Sequence, residues 1–95
     1  MNLKELHPGG KPVSTKVIFK AEEGKVISLQ IDEGGLLKEH VTTVPALLIC
    51  VEGEAVFENV EGLKVSMKGG DLVHIAPDVK HWIRAQKISH FILIK

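Results

Sequence analysis

A chain of 95 residues, 44% hydrophobic and 25% charged, has room for one domain with one modest core. It would bury roughly 60 to 65% of the surface its unfolded form exposes, and it is too apolar to stay disordered. Lys plus Arg and Asp plus Glu number 12 each and are scattered rather than blocked, which excludes the basic footprint of a nucleic-acid binder and the polybasic patch of a membrane-surface protein.

The N-terminal stretch Met1 to Ser14, broken by Pro8-Gly9-Gly10, reads as an arm preceding a domain over residues 15–95. Met1 to Leu6 lacks the apolar run of a secretory signal, no stretch approaches the roughly 20 apolar residues of a spanning helix, and the single Cys50 has no partner for an internal disulfide. The predicted location is cytoplasmic.

From Thr15 onward, glycine, proline and acidic turn signals recur too often for a long helix: Glu23-Gly24, Asp32 to Gly35, Glu52-Gly53, Glu61-Gly62, Gly69 to Asp71 and Pro77-Asp78. Between them lie β-branched or alternating runs at Lys16–Phe19, Lys25–Ile31, Val41–Val51, Ala55–Phe57, Leu63–Met67, Asp71–Ala76, His81–Ala85 and Ile88–Ile94. The fold class is therefore all-β, with about eight or more short antiparallel strands closing into a small barrel or jelly roll. Leu63–Lys68 alternates apolar and polar residues, as a strand with one wet face does. By contrast, Ala46–Val51 and Phe91–Ile94 are apolar on both faces and need two covers. One is the barrel interior; the other is the arm or a second subunit, so a homodimer is expected.

Two segments carry chemistry. Gly35-Leu-Leu-Lys-Glu-His40-Val-Thr42-Thr-Val-Pro-Ala46, running on to Gly53, and Gly70 through Ala76-Pro77-Asp78-Val-Lys-His81, resemble the two signature motifs of the cupin superfamily in spacing over about half the chain. In that resemblance His40 takes the first histidine position and His81 the histidine of the second motif. Thr42 stands where the second histidine is usual, Ala46 where glutamate is usual, and Ala76 and Asp78 where proline and glycine are usual. Residues i and i+2 of a strand share one face about 7 Å apart, which is how such barrels aim ligands at one ion. Here two imidazoles remain, and metal sites normally use three or four protein ligands. His40 and His81 are the metal candidates, with His74 as the third; a divalent transition metal is an open cofactor but not the favoured one.

The remaining histidines have plainer readings. His74 sits among Leu72, Val73 and Ile75, the place of a hydrogen-bonded core histidine. His90 interrupts an apolar face and reads as an interface or core polar contact, and His7 beside Pro8 reads as exposed. Cys50 reads as a small buried hydrophobe. Trp82, next to His81, is expected on the opposite side of its strand, outside the barrel.

The resemblance implies a small cupin, and the missing ligands narrow what it does. The first reading is a stand-alone module with little or no catalysis. It binds a compact neutral or anionic metabolite in an apolar pocket formed by His40, Thr42, Ala46, Leu48, His81 and Ile83. The alternative is a metal-dependent cupin enzyme of the dioxygenase or isomerase type. A third is an interaction module whose pocket is filled. Epimerase chemistry of the metal-free cupin type would need a tyrosine, and the chain has none.

Overall fold

A computed structural model describes all 95 residues as nine strands and one short 3-10 helix at Leu3–Leu6. The strands are β1 (Val13–Lys20), β2 (Lys25–Ile31), β3 (Leu36–His40), β4 (Ala46–Glu52), β5 (Glu54–Asn59), β6 (Lys64–Lys68), β7 (Leu72–Ile75), β8 (His81–Ala85) and β9 (Ser89–Ile94). They form two antiparallel sheets, a five-stranded one in the order β1-β2-β9-β4-β7 and a four-stranded one in the order β3-β8-β5-β6. No helix is long and apolar enough to cross a membrane.

Alternation sets the inner faces. Leu29 and Ile31 of β2, Ala46, Leu48 and Cys50 of β4, Val73 and Ile75 of β7, and Phe91 of β9 meet Ala55 and Phe57 of β5, Met67 of β6, and Ile83 and Ala85 of β8 in one core. Phe57 and Phe91 are fully buried, and side chains of this size contribute about 1.5 to 3 kcal/mol each by leaving water. β4 passes from one sheet to β5 of the other through Gly53, whose φ is +115°. A Cβ there would lie 2.3 Å from Ser89 Oγ and 2.6 Å from Ile88 O, so a glycine is required both by conformation and by space.

The structure departs from the sequence reading around His40. Leu36–His40, without a β-branched residue, is a strand of its own, while Val41 to Pro45 is a loop before β4. Pro45 cannot donate to a ladder and ends the run that looked like one strand from Val41 to Val51. His40 therefore closes β3, and a loop separates it from Ala46 and Leu48 of β4.

The outer face of the five-stranded sheet carries a second departure. Ser28 and Gln30 of β2 and His90 of β9 point outward yet are buried, together with His7 of the arm. His7 is thus not exposed as its sequence neighbours suggested. Its Nδ1 lies 2.8 Å from Ser14 Oγ and its Nε2 2.7 Å from Ser28 Oγ, so the arm is pinned to the sheet by both nitrogens of one ring. Beside it His90 Nε2 pairs with Gln30 Oε1 at 2.7 Å, with the two imidazole centroids 6.5 Å apart. His90 accordingly makes a buried polar contact on the outer face of the sheet, outside the hydrophobic core. An exposed ion pair, Lys4 Nζ to Glu52 Oε2 at 2.8 Å, lies on the same arm.

Candidate functional site

β3 and β8 bring the two motif histidines together, because His40 and His81 are direct cross-strand partners. Their ring centroids are 6.4 Å apart. His81 shares the inner face of β8 with Ile83 and Ala85, is 5% exposed, and stacks on Phe57 at 5.5 Å with an interplanar angle of 20°. The core thereby fixes the plane of the ring that reaches the site. Preceding it, Asp78 adopts a φ of +63° in the position where the resemblance calls for glycine. Its N–H donates to Thr42 O at 2.7 Å, which ties the second motif to the first.

Both rings have the same proton arrangement. His81 Nδ1 donates to Val79 O at 3.3 Å, and His40 Nδ1 donates to Lys38 O. A carbonyl can only accept, so in the neutral rings the proton is on Nδ1 and Nε2 presents a lone pair. His81 Nε2 has no protein partner and is not among the buried unpartnered atoms, so it opens on solvent. Burial, first of all, holds the His81 pKa below its ordinary value; the neighbouring His40 and Lys95 push the same way, against the Val79 carbonyl. The ring is neutral at neutral pH.

His40 and His81 line a cavity of about 290 Å³ at one end of the barrel. Its apolar wall is Val17, Ile27, Leu29, Leu37, Val41 and Leu93, and Thr15, Thr42, Lys25 and Lys95 complete its polar side. A shallow surface depression of about 700 Å³ continues it outward over the Lys20–Lys25 turn, the 41–45 loop and Lys95.

Of the residues expected at the site, His40, Thr42 and His81 meet at this cavity. Ala46, Leu48 and Ile83 do not: all three are in the packed core, because the barrel interior is filled by side chains. His74 is on the opposite side of β7, exposed, while its neighbours Val73 and Ile75 face in. It is neither a core histidine nor within reach of the other two.

The residues present do not fit a transition-metal site of the usual kind. No group of three or more His, Cys, Asp or Glu side chains is placed to hold an ion. The Thr42 hydroxyl is engaged with Val44 O at 2.9 Å, and Ala46 has no donor atom to offer. Two imidazole lone pairs remain where about three or four protein ligands are the norm.

Lys25 and Lys95 escaped the sequence reading, although a signal existed. Lys25 is in phase with Ile27 and Leu29, and Lys95 with Phe91 and Leu93, so extending the inward parity to the strand ends places both at the mouth.

No family model and no curated protein matches the sequence. Solved structures match it in shape over nearly its whole length. A cupin superfamily protein from Desulfitobacterium hafniense superposes with a TM-score of 0.86 at 14% identity, over 98% of this chain and 84% of its own. The chain has the cupin fold. An RmlC-like cupin from Shewanella frigidimarina matches with a TM-score of 0.81 at 19% identity, over 90% of this chain and 76% of its own. A cupin-like protein from Thermotoga maritima matches with a TM-score of 0.79 at 24% identity, over 87% and 67%. Of the two segments, residues 40–42 and His81 reach the cavity.

Proposed function

We propose that this chain is a small cupin-fold binding module that takes a compact metabolite into the mouth of its barrel, with little or no catalysis of its own. The observation that carries this is His81: a ring buried and stacked on Phe57, with Nε2 free of protein partners, in the lining of a cavity. An acceptor left without a protein partner on a ring held in place by the core is open to a ligand donor, which would replace the water it otherwise meets. At about 290 Å³ the cavity lies at the lower end of the range for small-molecule sites, roughly 300 to 1,000 Å³. The apolar wall with a few convergent polar groups has the usual composition of such a site.

The reading includes a homodimer in the cytoplasm, with the dimer resting on the outer face of the five-stranded sheet. There Ile94 and Leu72 stay exposed beside Leu47, Ile49 and Ile92, since the arm covers only the His90 end. Sedimentation would find two copies if that face is paired.

The experiment is a metabolite panel screened by thermal shift and by histidine ring shifts, on the parent and on His81→Ala. A hit that moves His81 signals and is lost in a folded His81→Ala protein supports the proposal. The filled core of Ala46, Leu48 and Ile83 favours one other reading, an interaction module that binds proteins alone. That reading predicts that no panel member binds.

A further inference from the structure

The mouth of the barrel concentrates positive charge. Lys20 and Lys25 are direct partners across β1 and β2. Lys25 and Lys95 exchange both backbone hydrogen bonds, Lys25 N to Lys95 O at 2.6 Å and Lys95 N to Lys25 O at 3.0 Å. Residues paired in this way stand about 5.5 Å apart, so three lysines form one row across three neighbouring strands. Like charges directly opposed on a sheet are destabilising, and a chain with no net charge has carboxylates to spare. Yet the four ion pairs of the molecule engage Lys4, Lys64, Lys80 and Lys87, none of this row. Glu22 and Glu23 border the outer depression, but no carboxylate side chain lines the cavity, where every ionisable side chain is a base: Lys25, His40, His81 and Lys95.

Two complementary demands follow for an occupant. The lysines are donors with positive charge and call for an oxyanion. His81, whose Nδ1–H donates to Val79 O, presents an acceptor at Nε2 and calls for a hydroxyl or another donor. We propose that the barrel mouth is an oxyanion site for a compact hydroxy acid, a carboxylate or a phosphate ester, with its charged group between Lys25 and Lys95 and its hydroxyl on His81 Nε2. This rests on the binding reading above and names the ligand class for the same site.

The test uses the full chain without a tag after Lys95, followed by amide shifts near Lys25 and Lys95 and by ring shifts of His40 and His81. The probes are L-lactate, glycerol 3-phosphate, propionate and glycerol. Saturable shifts with lactate or glycerol 3-phosphate, weakened by added salt, are expected, and the stronger of the two decides between carboxylate and phosphate. Glycerol should bind at least about tenfold more weakly, and Lys25→Gln and Lys95→Gln should each weaken the acid about tenfold. In His81→Ala, lactate should fall to the affinity of propionate. If glycerol shifts the same nuclei as well as the acids do, and the lysine variants bind unchanged, the charge inference is overturned while binding at the mouth stands. If no probe moves any of these signals, both are overturned.

Discussion

Replacing His7 by alanine should cost the domain about 2 kcal/mol, although nothing around His7 in the sequence marks it as structural. Its ring makes two hydrogen bonds, at 2.8 Å to Ser14 and 2.7 Å to Ser28, and each such bond contributes a net of about 0.5 to 1.5 kcal/mol. Ser28 is 1% exposed, so its hydroxyl must either remain buried and unpaired or be wetted as the arm lifts; the second route is cheaper and sets the estimate. The Lys4–Glu52 pair is exposed on both sides, so its loss with the arm adds little. For a domain of this size a loss of about 2 kcal/mol lowers Tm by roughly 8 to 16 °C. Urea denaturation of the parent, His7→Ala, Ser28→Ala and the double variant measures both the cost and the coupling between the two groups. A His7→Ala protein within about 0.5 kcal/mol of the parent, the usual range for a surface change, would refute the argument that the arm is pinned through this ring.

Acid should destabilise the fold through three histidines. Burial is the first cause holding His7, His81 and His90 below their ordinary pKa; His90 and Lys16 add to it at His7, and Lys4 acts against Glu52 at His90. The unfolded rings therefore bind protons before the folded ones do. Stability is complete above about pH 6.5 and falls as the pH drops from there through the folded values; melting curves that stay level across that window would contradict it. Phe57→Ala should cost about 3 to 5 kcal/mol as a core truncation and, since Phe57 stacks on His81, should also shift the His81 ring resonances in a way that a remote core truncation such as Val73→Ala does not. Asp78 holds a positive φ, so Asp78→Gly should be neutral or stabilising by up to about 1 kcal/mol, while Asp78→Val should destabilise; equal melting temperatures for the two variants would show that the turn conformation is not what matters there.

β6 is legible because its alternation alone distinguishes a wet from a dry face; β2 alternates in the same way and is legible as a strand, but its polar face, with Ser28 and Gln30, is buried. β3 is not, since Leu36–His40 is short and lacks β-branched residues, and its status as a strand comes from pairing with β8, which is distant in sequence. The same distance hides His7: its partner Ser28 is 21 residues away, while its near neighbours are proline and glycine. At the site, the resemblance to the cupin motifs is what singled out His40 and His81 together, and they are cross-strand partners. The resemblance did not reveal that Ala46, Leu48 and Ile83 lie in the core, because whether a barrel is hollow or filled depends on the summed volume of side chains from several strands. His74 turned on a choice of face that its own strand leaves open and that packing of Val73 and Ile75 decides.

Trp82 is the only tryptophan, and it stands on the outside of β8 with Nε1 donating to Glu58 Oε2 at 2.8 Å, one residue from His81 on the inside. Its emission therefore comes from a single fixed indole bound to a carboxylate, separated from the cavity by the thickness of one strand. That makes the molecule its own optical probe. Changes at Glu58 set the baseline colour, and a change in intensity when a compound is added reports movement of the strand that carries His81, without any label attached to the mouth.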